Sequence, residues 1–404
     1  MQRSLIITAA VIVLLGIGVG TYFLFFNNAP SVSVTLTDGT TLPVAGQGTP
    51  PSTTTTGTTG TSTPSTSITA PVAVSSRLIQ ISKGPIVPGA VVVDSRAASA
   101  TSSADVAVSY IERESGNVFS YSTRTRTLTR TNNRTVPGLQ SALWLPNGSL
   151  AFTRYLSGAD FSTINTYALP ANGTGGFFLS QNLNDIAVSA AGILTLSSGV
   201  NGSSASLLRP DGTRPTTIFS TPLSSLRVSF AGKQYLATTK ASATLPGNAF
   251  LVNSSGDFSR VAGPHDGLAA LASPLGKWVL VSYILNAAMQ MELVNIATGE
   301  ALSLPVATIA DKCVWAADDS AVYCGIPVNP PAGAAYPDDW YQGAIHFSDR
   351  IWKIQVSGRY AQLVLDFPKE TKGSLDVVSP AINPANTLLV FINKNDGSLW
   401  GYSL

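Results

Sequence analysis

The chain has 404 residues, of which 44% are hydrophobic and 11% are charged, and its formal net charge is +2 at pH 7. So few charges, with no dense run of lysine and arginine, exclude the electrostatic surface of a nucleic-acid binder, and we predict no nucleic-acid partner. The densest basic stretch, Arg124–Arg134, alternates arginine with threonine, which is typical of the solvent side of an edge strand. The chain also has 35 glycines and 25 prolines, a composition that suits β structure and turns.

The first predicted element is a membrane-spanning helix. Leu5–Phe26 is 22 residues long and carries no charge, which is enough for a helix to cross a hydrocarbon core of about 30 Å. It ends in the aromatic run Tyr22–Phe26 rather than in a small-residue cleavage site, so we expect a retained anchor in the lipid bilayer. Arg3 is the only basic residue before this segment, and none follows until Arg77. This bias predicts a single-pass protein with a cytoplasmic tip, residues 1–4, and an extracytoplasmic remainder.

A flexible stalk is predicted over residues 27–76. Its only charged residue is Asp38, and Thr49–Pro71 consists almost entirely of Thr, Ser, Pro and Gly. Such a stretch has too little apolar surface to offset the entropy lost on ordering. The folded domain is therefore expected to cover residues 77–404.

From residue 77 onwards the sequence repeats a β-hairpin pattern. Each copy has an apolar strand, a tight turn and a second apolar strand, and the turns lie at Gly148, Gly192, Gly232, Gly276, Asp319 and Asn386. The first five turns are 40 to 44 residues apart. A period of this length, built from short strands with no helical segment between copies, is the signature of propeller blades.

The predicted fold is an all-β, seven-bladed β-propeller behind the membrane helix and the stalk. Strand-like segments between Ala90 and Arg130 supply one unit before the first turn, whereas the last unit has only three strands and ends with Ser398–Leu404. Its missing fourth strand is expected to be Arg77–Ser82, which would join the start of the domain to its end. Closure would leave no open blade edge, and open edges favour aggregation.

Two of the turns carry a family resemblance. Ser273–Lys277 (SPLGK) precedes the apolar run WVLVS, and Leu145–Gly148 (LPNG) precedes LAFT. These segments resemble the S-P-D-G-K-x-x-x-F repeat of TolB-type, WD40-like (PD40-type) β-propellers, with Leu275 or Asn147 in place of the Asp. The resemblance extends over about residues 77–404 and implies the propeller fold. Since such propellers serve as scaffolds, sensors and enzyme appendages, it implies no single activity.

The two cysteines lie on the two strands of one predicted hairpin. If the strands flanking Asp318–Asp319 pair symmetrically, Cys313 and Cys324 face each other. Opposed residues in a non-hydrogen-bonded pair have Cα atoms about 4.5 Å apart, which allows a disulfide in an oxidising compartment. The alternative is two reduced, buried thiols. No metal site is predicted, since two thiols alone do not complete a tetrahedral ligand set, and no cofactor is expected.

An insertion in the sixth unit contains the candidate binding residues. Gly325–Asp349 places about 25 residues between the second and third strands, and long loops on a rigid scaffold commonly carry function. It holds aromatic, acidic and histidine side chains of kinds enriched in recognition surfaces, namely Tyr336, Asp338, Asp339, Trp340, Tyr341 and His346. In a four-stranded meander it shares a face with the link between units four and five, which adds His265 and Asp266. The alternative is that Trp340 and its neighbours pack down as a lid over the blade edge.

The catalytic motifs of hydrolases, phosphate-binding enzymes and metalloproteases are missing from the sequence, and the chain has only two histidines. We therefore expect a binding or scaffold module of the cell envelope, with an envelope protein or a surface ligand as partner, rather than an enzyme. The alternative is an enzyme acting on glycans or peptides, with Asp338, Asp339 and either His265 or His346 as acid–base groups. Such an enzyme needs at least two of these groups close to one substrate atom.

Overall fold

The computed structural model describes residues 71–95, 105–134, 136, 138–371 and 373–404. They form seven antiparallel sheets, one of five strands and six of four strands, and the fold is the predicted seven-bladed β-propeller. The predicted cytoplasmic tip and membrane helix lie outside the described residues. Within the part of the chain that the structure does describe, no helix has both the length and the apolar character needed to cross a bilayer.

Blades 1 to 6 are meanders whose strands pair in sequence order, whereas blade 7 combines the last three strands of the chain with strands from the start of the domain. Blade 1 consists of Val91–Ser95, Asp105–Ile111, Val118–Ser122 and Thr127–Asn132. Blade 2 consists of Leu139–Trp144, Leu150–Ser157, Thr163–Pro170 and Phe177–Phe178. Blade 3 consists of Leu183–Ser189, Gly192–Gly199, Gly202–Leu208 and Thr216–Thr221. Blades 4 and 5 consist of Leu226–Ala231, Gln234–Thr239, Gly247–Val252 and Phe258–His265, and of Ala269–Ala272, Trp278–Leu285, Ala288–Asn295 and Ala301–Ser303.

Blades 6 and 7 contain the departures from this regular pattern. The strands of blade 6 are Cys313–Trp315, Ala321–Pro327, Asp349–Gln355 and Tyr360–Leu365. Those of blade 7 are Val377–Ile382, Leu388–Asn393, Leu399–Ser403 and Leu78–Ser82, and Val72–Ala73 pairs outermost. The described helices are short: a 3-10 helix, Ala310–Lys312, and two α-helices, α1 (Asp338–Tyr341) and α2 (Phe367–Glu370).

Burial along the strands follows from the stacking of blades. The second strands of blades 6 and 7, Ala321–Pro327 and Leu388–Asn393, are buried at every position, because each of their two faces packs against a neighbouring blade. The fourth strand of blade 1, Thr127–Asn132, lies at the rim and is mostly exposed, as its alternation of Arg and Thr indicates. Sheets covered on both faces need nearly continuous apolar strands, whereas rim strands do not.

The ring is closed by the N-terminal strand of the described domain. Leu78–Ser82 pairs antiparallel with Leu399–Ser403, with Leu78 opposite Tyr402. It thus supplies the fourth strand that the last repeat of the sequence lacks. Val72–Ala73 then pairs with the outer edge of Leu78–Ser82. The stalk predicted to reach residue 76 is therefore too long at its end, because the free backbone groups of this edge strand bind the preceding residues. The rest of the predicted stalk, residues 27–70, lies outside the described residues.

Polar contacts at or near the turns between first and second strands tie blade 5 to blade 6 and blade 7 to blade 1. The Asp319 carboxylate of blade 6 accepts hydrogen bonds from Ser273 Oγ at 2.6 Å and from Leu275 N at 3.0 Å in blade 5. Asp94 of blade 1 accepts a hydrogen bond from Ala385 N of blade 7 at 2.9 Å. Asp319 adopts a φ of 61°, a left-handed conformation that Asp tolerates better than most residues. These polar contacts run along the face opposite the insertion.

The cysteines form a disulfide inside blade 6. Cys313 and Cys324 are directly opposite in the antiparallel register, and their Cα atoms are 4.1 Å apart. Both residues are buried in the apolar cluster between blades 5 and 6. The crosslink therefore fixes the first two strands of blade 6 immediately after the 3-10 helix.

Candidate functional site

The insertion of blade 6 folds as a cap on one face of the propeller. It joins Ala321–Pro327 to Asp349–Gln355 and contains α1. Val328 N donates a hydrogen bond to Ser348 O at 2.9 Å, which prolongs the ladder between the two strands. The cap is therefore anchored to the sheet at both of its ends.

The two aspartates of α1 hold the cap in place. Asp339 Oδ2 accepts a hydrogen bond of 2.8 Å from a backbone N–H within the insertion. Asp338 Oδ2 accepts one of 2.9 Å from Ala243 N, in the loop between the second and third strands of blade 4. Gly267, between blades 4 and 5, lies directly beneath the cap, since a Cβ added there would be 3.0 Å from Tyr336 O. The insertion thus reaches over blade 5 to blade 4, on the face expected from the sequence.

Three aromatic side chains of the insertion pack inwards. Tyr336, Trp340 and Phe347 are all at most 6% exposed and belong to the same apolar cluster as Trp315. The ring centroids of Trp340 and Phe347 are 6.2 Å apart, and those of Tyr336 and Phe347 are 5.9 Å apart. This is the lid arrangement that was the alternative interpretation of the sequence. It leaves Tyr336 and Trp340 little exposed surface for contact with a partner.

Tyr341 instead lies at the mouth of the central channel. It is 39% exposed, and its Oη donates a hydrogen bond to Asp311 Oδ2 at 2.6 Å. Asp311 also forms an ion pair with Arg227 of blade 4, with 2.9 Å between Oδ2 and Nη1. Burial and the Asp311 carboxylate raise the pKa of Tyr341, and Asp311 raises the pKa of Arg227. Tyr341 therefore remains a phenol donor and Arg227 remains charged at neutral pH.

The central channel of the ring is a cavity of about 650 Å³. Asp185 and Arg227 line it near the start of the innermost strands of blades 3 and 4, on the side of the insertion. Val188 and Phe230, farther along the same two strands, line the other end. The channel is thus charged beneath the insertion and apolar towards the opposite face.

Asp185 and a second charged side chain, Arg154, have buried polar contacts at the charged end of the channel. Asp185 Oδ2 accepts a hydrogen bond from Val228 N of the next blade at 2.9 Å, and burial raises the pKa of this carboxyl group. Arg154 Nη2 donates to the carbonyl oxygens of Leu183 and Asn184, while its Nε is buried and meets no acceptor among the described residues. Burial lowers the pKa of Arg154, yet a guanidinium group stays charged at neutral pH.

The acid–base groups expected for an enzyme have separate neighbours. His265 stacks on a tyrosine ring of blade 5, with 4.3 Å between centroids, and Asp266 beside it is exposed. His346 is exposed, and its Nδ1 lies 3.9 Å from Asp376 Oδ2. The two aspartates of α1 accept backbone N–H groups instead. In the described parts of the chain, no three His, Cys, Asp or Glu side chains are grouped as metal ligands.

The charged residues of the channel were not identified from the sequence. Asp185 in LNDIAVS and Arg227 in LRVSFA stand near the start of innermost strands, and this position is the signal that indicates a channel-facing charge. Arg154 and Asp311 offer no comparable signal, because one lies in a second strand and the other in a link between blades. Their placement depends on how the blades are arranged around the ring.

Comparisons with known proteins support the propeller architecture. No protein-family model and no curated protein matches the sequence. Among solved structures, oligogalacturonate lyase in complex with manganese aligns with a TM-score of 0.52 and 10% identity, over 80% of this chain and 98% of that one. Hydrazine synthase of Kuenenia stuttgartiensis aligns with a TM-score of 0.48 and 12% identity, over 79% and 96%. The tricorn protease aligns with a TM-score of 0.37 and 13% identity, over 70% and 27%. At such identities the likeness to the lyase extends to the fold and not to an activity.

Proposed function

We propose that the chain is a membrane-tethered, extracytoplasmic binding or scaffold module of the cell envelope, and that it binds through the face carrying the insertion. The tether rests on the uncharged segment 5–26 and the polar stalk that follows it. The turns at Gly148 and Gly276 support membership of the TolB-type, WD40-like group of propellers. Both points are drawn from sequence patterns alone.

The observation that carries the proposed binding face is the contact between Tyr341 and Asp311. It places the longest loop of the ring at the charged mouth of the channel, so that both belong to one surface. This surface presents an aromatic ring, the exposed imidazole of His346 and the paired side chains of Arg227 and Asp311. Tyrosine and arginine are enriched among residues that dominate binding energies.

The buried side of the insertion makes this surface rigid. Trp340 and Phe347 are fixed in the apolar cluster, and Asp338 fixes the start of α1 to blade 4. A partner that binds Tyr341 and His346 therefore loses little free energy to ordering of the loop. An insertion that only covered the blade edge would not need to extend to the channel.

An enzyme acting on glycans or peptides is the second candidate. The observation in its favour is that Tyr341, Asp311 and Arg227 bring a proton donor, a carboxylate and a cation together within hydrogen-bond distance, which are groups used in acid–base catalysis. Asp338, Asp339 and the two histidines give it no support, because they do not converge. The channel mouth is therefore proposed first as a binding site.

The proposed face can be tested by photo-crosslinking of the full chain in its own cells. A photoreactive amino acid at Tyr341 or His346 should give one discrete adduct, and the same group at Asn147, in a turn on the opposite face, should not. No adduct from either insertion position, or the same adduct from Asn147, would contradict the proposal. Release of products from envelope glycans or peptides by the wild type, but not by Arg227→Gln, would instead establish the enzyme.

A further inference from the structure

A lysine and two aspartates form a charged cluster in the interior between blades 6 and 7. The side chains of Lys312, Asp349 and Asp376 are completely buried. Lys312 Nζ lies 2.8 Å from Asp349 Oδ2 and 2.5 Å from Asp376 Oδ1. Such residues are rarely fully buried, and two carboxylates around one ammonium leave an excess negative charge when all three are ionised. A buried cluster of this kind is costly as a purely structural element.

The insertion covers this cluster. Lys312 Nζ lies 4.7 Å from the ring centroid of Trp340 and 5.0 Å from that of Phe347. Asp376 Oδ2 accepts hydrogen bonds from Trp340 Nε1 and from Phe347 N, each at 3.0 Å. These apolar surroundings exclude water from the charged groups, which makes their burial costly unless they are paired.

The two carboxyl groups have different hydrogen-bond partners. Both oxygens of Asp376 accept donors, whereas Asp349 Oδ2 accepts Lys312 Nζ and Val377 N, the latter at 2.6 Å. Asp349 Oδ1 is buried and meets no donor among the described residues. Burial raises the pKa of Asp349 to about 6. Asp349 is thus the carboxyl group suited to receive a proton from Lys312.

We propose that Lys312 and Asp349 join in an intramolecular isopeptide bond, with Asp376 as the proton carrier. The Lys312 ammonium first gives one proton to Asp349 Oδ2, which lies 2.8 Å from Nζ, and this produces a neutral amine beside a carboxylic acid. Nζ then attacks Cγ of Asp349, and negative charge develops on Oδ1. Asp376 Oδ1, which lies 2.5 Å from Nζ, accepts the second proton and returns it to the Oδ2 hydroxyl, which leaves as water while Val377 N–H donates a hydrogen bond to it. One C–N bond forms, one C–O bond breaks and one water molecule leaves, without oxidant or cofactor.

The geometry supplies what this reaction needs. Groups held at contact distance react as if present at about 10⁵–10⁸ M. Exclusion of water also removes the hydration of the separate ions, which opposes amide formation in solution. The product links the end of the 3-10 helix to the third strand of blade 6, at the base of the insertion. Together with the disulfide Cys313–Cys324, it would hold the cap of an extracytoplasmic domain covalently.

Peptide mapping of the full chain tests the bond. Because trypsin does not cleave after an acylated lysine, the reduced wild type should yield Trp278–Arg350 uncut at Lys312 and lighter than its sequence by one water. Chymotryptic cleavage at Tyr341 should then leave two peptides that fragment as a branched pair joined through Lys312 and Asp349.

Two variants separate chemistry from digestion artefacts. Asp376→Asn removes the proton carrier, so linear Cys313–Arg350 should replace the branched peptide. Lys353→Arg, in the third strand of the same blade, should retain the crosslink fully. Linear Cys313–Arg350 of unmodified mass from the wild type, or a bond to Asp376 instead, would overturn the proposal. The peptide map of the wild type tests the bond even if the Asp376→Asn variant fails to fold.

Discussion

Tyr341 Oη and Asp311 Oδ2 are 2.6 Å apart, and this hydrogen bond connects the insertion of blade 6 to the wall of the central channel. Asp311 precedes the innermost strand of blade 6, and its carboxylate pairs with Arg227 of blade 4. A loop residue, a link residue and an inner-strand residue thus form a polar chain that spans blade 5. The hydroxyl group of Tyr341 can be removed without changing the contact of its ring with Trp340.

We expect Tyr341→Phe to lower the free energy of unfolding by about 0.5–1.5 kcal/mol, because one hydrogen bond is lost while Asp311 keeps Arg227 as partner. Tyr360→Phe is the matched control, since Tyr360 lies in the outer strand of the same blade and is 53% exposed. It should change stability by at most about 0.5 kcal/mol. Urea denaturation of both variants measures the difference. Equal losses would show that the bond to Asp311 contributes nothing specific.

Shortening the insertion should cost stability as well as binding. Replacing Pro330–Gly343 by a short Gly-Ser link removes Tyr336 and Trp340 from the core, and loss of a buried Trp alone costs about 3–5 kcal/mol. Tyr341→Ala keeps these buried rings and should lose less than half as much, yet should also abolish crosslinking at the insertion face. Thermal unfolding measures the loss of stability, and photo-crosslinking measures the loss of binding. An unchanged melting temperature of the shortened chain would contradict the packing of Trp340.

The pH dependence of stability should depend on Asp185. Burial raises its pKa above the ordinary value of 3.8, so between these two values the folded state binds more protons than the unfolded state. Stability then falls as the pH rises through this window. Relative to Asp185→Asn, the wild type should therefore gain stability when the pH is lowered from neutral towards 4. Urea titrations of both proteins across this range measure the effect, and parallel curves would exclude it.

Asp160 supplies a control of opposite sign. The hydrogen bond from Ser162 holds the pKa of its exposed carboxyl group below 3.8. Its contribution to stability is therefore present above that value and lost as the pH falls further. Relative to Asp160→Asn, the wild type should lose stability only at pH values below about 3.8.

The fold could be predicted because propeller blades repeat in sequence. The turns from Gly148 to Asp319 have a regular spacing, and each strand-turn-strand unit is local in the chain. The pairing of Cys313 with Cys324 could be predicted for the same reason, since a hairpin register follows from its turn. Val72–Ala73 could not, because its partner strand has a free edge only in the assembled ring.

The candidate site could be predicted only in part. Loop length drew attention to Tyr341 and His346, which are exposed, but it did not separate them from Trp340, which is buried. The cluster of Lys312 with Asp376 gave no signal, because these residues are 64 positions apart and meet only across two blades. Contacts between blades are set by the geometry of the ring, which the pattern within each blade does not specify.

Membrane topology stays a prediction from the N-terminal sequence. A cysteine at Thr55, in the predicted stalk, should react with a membrane-impermeant thiol reagent in intact cells, whereas one at Ser4 should not. The native cysteines are both in the disulfide, and the described residues contain no free thiol, so the wild type is the unlabelled control. Labelling at Ser4 but not at Thr55 would reverse the orientation and the compartment assigned to the propeller.

Ring closure can be tested by two truncations that differ only in residues 71–86, which hold the closing strands and the link to blade 1 with its buried Ile86. A chain beginning at Val87 lacks Leu78–Ser82 and exposes the backbone edge of Leu399–Ser403, together with apolar surface where Leu78 and Ile81 are now 0% exposed. Loss of two such core side chains costs several kcal/mol, about 2–5 for each, so this chain should unfold at a much lower temperature or aggregate through its open edge. A chain beginning at Pro71 keeps the strands and should melt like the full protein. Circular dichroism and size-exclusion chromatography distinguish the outcomes, and equal melting temperatures for the two truncations would rule out a closing role for this strand.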